Sequence, residues 1–369
     1  MKKILFLIND LGQGGAEKVL VSLINNMDPV KFEIHVTALF GGGINEQFLK
    51  PHIRYRTVFP KSFPGNSHVM KLCSPRMLHR MWVKERYDIE VAYLEGPASR
   101  IVSGCVDPDT KLVTWIHVQQ NNMKQLARSF RNEAEAKSCY DRFDQAVCVS
   151  NYVMDDFTGI LDYRKSCCVL YNTVESEKIL TLSQEKAPRL EEARGIKLIA
   201  VGSLKKSKGY NRLIRCIWRL REENYPLHLY ILGIGPQQQE LEGLCIEYGI
   251  EDRVTFLGYD TNPYKYVAKS DLFVCASFAE GFSTAATEAL ILGVPVCTVE
   301  VSGMKEMLGE NNEWGLVTEN EEEALYAGIK RLLDNPDLLA HYKKQATARG
   351  KEFSTENTVH AVEKMLIEL

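Results

Sequence analysis

The chain has 369 residues, 45% of them apolar and 25% charged, with a formal net charge of −3. That length is more than one ordinary core organises and suits two domains, and the apolar fraction is that of a globular protein. The near-neutral balance gives no support to bulk nucleic-acid binding, so no nucleic-acid partner is expected. The ten cysteines stand singly apart from Cys167–Cys168, and several lie in apolar runs such as "VCVS" and "FVCAS". They read as buried thiols in a reducing compartment, not as a disulfide framework or a zinc site.

The first predicted strand, 2–8, ends in Asn9–Asp10. It is too short for a signal-peptide core, and no stretch approaches a membrane span, so a cytoplasmic protein is expected. "LGQGGAEKV" (11–19) follows, and then Val19, Leu20, Leu23, Ile24 and Met27 at helical spacing. This strand, glycine turn and helix have the form of a phosphate loop. As a dinucleotide fingerprint it fails, because Glu17 stands where a small residue belongs and the next strand, "FEIHVTALF", ends in "GGG" with no acid for a ribose.

Further strands are predicted at 33–39, 88–94, 111–116, 146–149 and 167–171. Residues 176–196 read as a charged linker with some helix. The pattern restarts with "KLIAVG", "LHLYILG", "RVTFLG", "DLFVCAS" and "VPVCTV". Strands alternating with helices give an α/β chain with parallel sheets, simplest as two Rossmann-like domains. The expected boundaries are 1–175, a linker at 176–196, 197–352, and a C-terminal helix at 353–369. Ligands of such sheets bind beyond the carboxyl ends of the strands. Gly12–Gly15, Glu95, His117, Ser150 and Asn172 fall there in the first domain. Gly202–Gly209, Gly233, Gly258 and Glu280 fall there in the second, and two such edges facing each other would enclose a cleft.

"CASFAEGFSTAATEALILGVPV" (275–296) carries most of the chemistry. A strand ends near Ser277, Glu280 sits in the loop, and Ser283 reads as the N-cap of a helix that stops at Gly293. A helix N-terminus with free amides suits a diphosphate. Glu288 lies about 7 Å along the axis from the cap, so the two carboxylates bracket whatever binds at the helix start. Carboxylates accept from sugar and ribose hydroxyls, which is the layout of a nucleotide-sugar. Two glutamates on a solvated helix are the plain alternative.

Glu280-Gly281-Phe282 followed by Glu288 resembles the E-x7-E signature of the family-4 retaining glycosyltransferases of the GT-B fold. "GGAEKV" (14–19), "VGSLKKSKGYNRLI" (201–214), "WIH" (115–117), "YNTVE" (171–175), "LGIGPQQQEL" (232–241), "FLGY" (256–259) and "VEVSGMKEML" (299–308) are similar to family segments in the same order. The resemblance spans most of the chain. It implies two Rossmann-like domains facing across a cleft, with the last helix crossing back onto the first domain. It implies Glu280 on the donor sugar, Glu288 on the ribose, Lys208 on the diphosphate and His117 at the donor sugar. Gly14, Gly15, Gly202, Ser203, Gly233, Gly281, Phe282, Ser283 and Thr284 complete the donor set. The family places arginine where this chain has Ser203, and a hydroxyl cannot replace a guanidinium fork; either Lys205 or Lys206 compensates, or the diphosphate is held more weakly.

The reaction implied is transfer of a hexosyl group from a nucleoside-diphosphate sugar, preferably a UDP-sugar, to an acceptor hydroxyl with retention and without a metal or other cofactor. Asp107-Pro108-Asp109 imitates a metal motif but reads as a surface turn. Two alternatives stay open: a nucleotide-sugar 2-epimerase on the same fold, and a non-catalytic sugar-nucleotide-binding subunit. Between Lys50 and Arg86 the lysines and arginines face a single acid, Glu85. Met77, Leu78, Met81 and Trp82 share a helical face flanked by Arg76, Arg80 and Lys84. That pattern predicts peripheral contact with an anionic membrane surface, fitting a lipid-linked glycan acceptor in cell-surface polysaccharide synthesis. A solvated basic face is the alternative.

Overall fold

The structure is a computed structural model and describes residues 1–12, 14–187, 190, 195–280, 282–301 and 303–369. The chain falls into two compact units, Met1–Val174 with Thr355–Leu369, and Glu175–Ser354. Each is built on one parallel sheet.

The first sheet has seven strands: β1 (Lys2–Ile8), β2 (Phe32–Phe40), β3 (Arg54–Phe59), β4 (Ile89–Tyr93), β5 (Lys111–Ile116), β6 (Gln145–Cys148) and β7 (Ser166–Val169), in the order β3-β2-β1-β4-β5-β6-β7. Helices on both faces explain the near-continuous apolar runs: β1, β2, β4 and β5 are buried along most of their length. The edge strand β3 escapes a pattern reading because "RYRTVF" alternates charge with apolar residues and is half-exposed. Its register on β2 brings Phe59 opposite Phe40, and the two rings stack at 5.9 Å.

The second sheet has six strands: β8 (Ile196–Val201), β9 (Leu227–Leu232), β10 (Val254–Gly258), β11 (Leu272–Cys275), β12 (Val296–Val299) and β13 (Leu316–Thr318), in the order β10-β9-β8-β11-β12-β13. Leu198, Ala200, Leu229, Ile231 and Val274 form its core with Leu213, Ile217 and Leu220 of helix Tyr210–Glu222. The three-residue edge strand β13 lacks the length to show in sequence. Of the stretch read as linker, residues 176–182 form helix Ser176–Leu182, which packs in this unit against helix Thr284–Ile291, while 188–189 and 191–194 lie outside the described residues.

Strand order reverses between β1 and β4 in the first sheet and between β8 and β11 in the second. At such switch points adjacent loops leave the sheet in opposite directions and open a crevice at the carboxyl edge. The first crevice receives the glycine loop after β1 and the turn after β4. The second receives the loops after β8 and β11.

Helix Thr355–Glu368 belongs to the first unit. Val359, Val362 and Leu366 are buried in it. The Lys2 ammonium donates to the carbonyls of Leu366 and Ile367 at 2.9 and 3.0 Å, and the Glu363 carboxylate accepts from the Asp28 amide at 2.6 Å.

Candidate functional site

In the second unit the switch point brings together residues far apart in sequence. The loop after β8 closes with a 3-10 turn, Lys206–Lys208, and Gly209 starts the next helix with φ of 64°. Any side chain there would meet the Ala276 carbonyl at 2.0 Å, so only glycine lets the two loops approach. That approach places the Lys208 ammonium 2.5 Å from the Glu280 carboxylate. The Ser277 hydroxyl donates to the same Glu280 oxygen at 2.6 Å, which fixes the carboxylate's position.

Ser283 caps helix Thr284–Ile291, accepting from the Ala286 amide. Glu288 is buried one turn on, and the Tyr264 hydroxyl donates to it at 3.2 Å. Ser283, Lys208 and Glu280 line one crevice with Tyr210 and Ser277. Thr284 opens the helix. Phe282 is buried against Phe353, a core position. Gly202 follows β8, and its carbonyl accepts from the Tyr210 hydroxyl. Gly233, with φ of 146°, passes so close that a Cβ would strike the Gly202 carbonyl at 2.0 Å. Ser203, Lys205 and Lys206 are exposed. Gly281 lies outside the described residues.

Sequence reading missed Tyr264 and Arg212. Arg212 is 2% exposed, and its guanidinium donates at 2.8 Å to the Ala276 and Ser277 carbonyls and the Asn320 side chain. It holds the exit of β11, and with it the loop of Glu280, from below. An arginine inside an amphipathic helix pattern gives no signal of that.

In the first unit, Gly14 is the N-cap of helix Gly15–Asn26. The Glu17 carboxylate folds over Gly14, and burial, with Asp10 nearby, raises its pKa although a backbone hydrogen bond opposes this. His117 follows β5 and is buried; burial alone pulls its pKa down to about 3, so it is neutral at physiological pH. Its ring lies 4.6 Å from Tyr93. Among the described residues, Asn9 Oδ1, Tyr93 OH, Trp115 Nε1 and His117 Nε2 are buried with no hydrogen-bond partner. Each stands at or near the carboxyl end of β1, β4 or β5. Unpaired buried polar groups are rare and costly, so this sheet edge is a candidate to receive a polar ligand.

Glu95 has a positioning role. It is enclosed, so burial raises its pKa despite hydrogen bonds from the Val118 amide at 3.0 Å, the His117 amide and the Gln120 side chain. It ties down the loop that carries His117. Leu94 beside it has φ of 98°, a strained conformation for a bulky residue and of the kind found at functional sites. Asn172 is buried after β7. Asp107 pairs with Arg86 at 2.6 Å, and Asp109 lies exposed in the same turn.

The basic helix is Pro75–Trp82, capped by Ser74. Its apolar face divides differently from the sequence pattern. Leu78 is 2% exposed, and Trp82 packs edge-on against Phe59, so both serve the core. The outward apolar residues are Met77, 52% exposed, with Val69 and Leu72 at 53% and 80% from the preceding helix. Arg76, Arg80 and Lys84 are exposed around them. Among the described residues no helix is long and apolar enough to cross a membrane.

On the inner side of that helix His79 meets the buried Glu90 at 2.8 Å, with Cys105 beside them. Burial lowers the histidine pKa, but hydrogen bonds to the Cys105 sulfur and to Glu90 outweigh it and hold the ring at about 9. A folded pKa above the unfolded value of about 6.5 contributes stability that is complete below pH 6.5 and is lost as pH rises through 9. The unfolding free energy of the first unit is therefore expected to fall between those values, by up to about 3 kcal/mol, and its melting temperature with it. His79→Gln should flatten that slope, and a wild-type melting temperature constant over the interval would contradict the pairing.

Comparison with known proteins assigns both units. Residues 13–178 match the family model described as Glycosyltransferase Family 4, and residues 183–349 match Glycosyl transferases group 1. A Campylobacter jejuni protein, N-acetylgalactosamine-N,N'-diacetylbacillosaminyl-diphospho-undecaprenol 4-alpha-N-acetylgalactosaminyltransferase, is 29% identical over 96% of this chain and 96% of its own length. A lipopolysaccharide core biosynthesis glycosyltransferase of Rhizobium meliloti is 30% identical over 42% of this chain and 43% of its own. Among solved structures, Anabaena HepE in complex with UDP superposes with a TM-score of 0.78 at 20% identity, covering 100% of each chain. It is similar in fold.

Proposed function

We propose, for a chain that belongs to the family 4, group 1 glycosyltransferases of the GT-B fold, that it moves a hexosyl group from a UDP-sugar to a hydroxyl of a lipid-linked glycan, with retention and without a metal. The observation that carries this reading is the Lys208–Glu280 pair beside the Ser283-capped helix. A cation and free helix amides receive the diphosphate, and the two carboxylates receive hydroxyls on either side of it. Lys208 leaves Glu280 for the phosphate when the donor enters, and Glu280 turns to the sugar. Charge that builds on the leaving diphosphate in the transition state is then met by a cation already in place.

His117, being neutral, exchanges hydrogen bonds with hydroxyls instead of delivering a proton. The leaving phosphate takes the acceptor's proton as the new bond forms on the same face, so catalysis is positioning and electrostatics. The name of the Campylobacter relative states an alpha linkage and a diphospho-undecaprenol acceptor, which supports retention from an alpha-linked donor and a lipid-linked acceptor here. The unpaired polar edge of the first unit suits a hydroxyl-rich ligand.

The deciding experiment incubates the protein with UDP-sugars and an undecaprenyl-diphosphate glycan. Anomeric-proton NMR of the product should show an alpha linkage, with the rate unaffected by EDTA. Epimerised UDP-sugar formed without acceptor would replace this reading with an isomerase. Donor binding has its own check. Glu288→Ala should weaken UDP binding by about 1.5–3 kcal/mol, the loss of a hydrogen bond to a charged group, as read by calorimetry. Unchanged affinity in a normally melting variant would remove Glu288 from the site.

The same reading places the enzyme at a membrane surface. Val69, Leu72 and Met77 would enter the headgroup region while Arg76, Arg80 and Lys84 meet anionic lipid, at roughly 1 kcal/mol per basic residue. The protein should sediment with anionic but not neutral liposomes, and less so as salt rises. Glutamate at all three basic positions should abolish sedimentation and leave UDP affinity intact. Wild-type protein that ignores anionic vesicles at low salt would point to a soluble acceptor.

A further inference from the structure

The second unit holds another cavity, of about 460 Å³, on the same carboxyl edge as the Lys208 crevice. Lys206 and Ser207 line it from the loop after β8, Asn211 from helix Tyr210–Glu222, Gln237 and Glu240 from the segment after β9, and Phe278 from the loop after β11. Apart from Lys206, a candidate substitute cation for the diphosphate, none of these residues belongs to the donor set. We propose that this cavity is a subsite for a neutral pyranose, a glycosyl unit of the glycan on which the enzyme works. That last identification rests on the glycosyltransferase reading; the sugar specificity of the cavity does not.

The floor is an aromatic ring held as a platform. Phe278 is half exposed and lines the cavity, so part of its ring is open to a ligand. Its ring is backed by the Arg212 guanidinium, 4.1 Å from the centroid, and Arg212 is itself locked by the carbonyls beneath it. The Phe278 amide donates to the Ser207 carbonyl at 2.7 Å, which fixes the two lips of the cavity against each other. A rigid ring so placed offers a flat apolar surface to the C–H face of a sugar at little entropic cost.

The walls supply the complementary polar groups. The Gln237 side chain donates to the Glu240 carboxylate at 3.1 Å, and Asn211 lines the same cavity. Amides and a carboxylate can donate to and accept from vicinal hydroxyls. One lysine and one glutamate leave the lining without net charge, so it offers no excess positive charge to an anion. The volume lies in the lower part of the range for ligand pockets, about 300–1,000 Å³, and suits a mono- or disaccharide.

The test is a saturation-transfer NMR titration of the full chain, with UDP present at saturation, using the methyl α-glycosides of glucose, galactose, N-acetylglucosamine and N-acetylgalactosamine. At least one should bind, with the strongest transfer to its ring C–H protons. Phe278→Ala should weaken that binding about tenfold or more while Phe278→Trp retains it, the ring being what matters. Gln237→Ala should weaken it as well, and UDP affinity should stay unchanged in all three variants. No binding by any of these glycosides to wild-type protein, binding that survives Phe278→Ala, or displacement of the glycoside by uridine would each overturn the proposal. Failure to bind UDP would instead count against the donor site, and the glycoside titration would still decide this one.

Discussion

Replacing Lys208 with methionine is expected to lower the transfer rate by roughly 10²–10³, the usual loss when one fixed group that stabilises transition-state charge is removed. Methionine keeps the length and apolar stem and deletes only the ammonium. In the free protein the change also strips Glu280 of its counter-ion, leaving a largely buried carboxylate that accepts, among the described residues, from Ser277. Some loss of stability will therefore accompany the loss of rate, and the two have to be separated. Lys208→Met combined with Glu280→Gln removes the orphaned charge and should restore the melting temperature, which assigns the stability loss to the unpaired carboxylate. Single-turnover transfer from saturating UDP-sugar is the measurement, because it excludes slow product release. A rate within a factor of a few of wild type would show that another cation, Lys205 or Lys206, carries the diphosphate.

The local features of the second unit's candidate site were legible because their signals lie close together in sequence. Ser283 as a cap, Gly293 as a stop and Glu280 and Glu288 around the helix start all fall within one short segment, and the structure keeps the cap and buries Glu288. The sequence could not show that Lys208 would pair with Glu280, since that contact spans 72 positions and depends on strand order at the switch point. Arg212 and Tyr264 were hidden for a related reason. Each looks like an ordinary residue in its own helix, and only the distant segments brought beside it, the loop after β11 for Arg212 and helix Thr284–Ile291 for Tyr264, give it a task.

In the first unit the basic helix shows the opposite error. Periodicity assigns Leu78 and Trp82 to the same outward face as Met77, but a helix on a sheet must bury one flank, and these two are taken by it. The residues left outside include Val69 and Leu72 from the neighbouring helix, which no single-helix projection could have added. Edge strands were lost for want of a pattern: β3 because one face of an edge is wet, β13 because three residues hold no period.

Deleting residues 355–369 is expected to unfold or strongly loosen the first unit while the second, whose last residue is Ser354, keeps its own transition. The helix buries Val359, Val362 and Leu366, and apolar burial contributes about 1.5–3 kcal/mol for each such side chain, an upper estimate given a compact unfolded chain. Its polar contacts are also needed by their partners. Without Glu363 the Asp28 amide loses its acceptor, and without the Leu366 and Ile367 carbonyls the Lys2 ammonium at the start of β1 has none of its bonds to the helix end. Together these losses are comparable to the whole stability of a domain, about 5–15 kcal/mol. Hydrogen exchange reads the outcome by unit: amides of β1 and helix Gly15–Asn26 should lose protection, and those of β8 and β11 should hold. Leu366→Ala in the full chain is a milder form of the same test, costing about 2–5 kcal/mol in the first unit alone. Protection of β1 unchanged by the deletion would mean that the helix only rests on the surface. Protection lost equally in β8 and β11 would mean that the two units unfold as one.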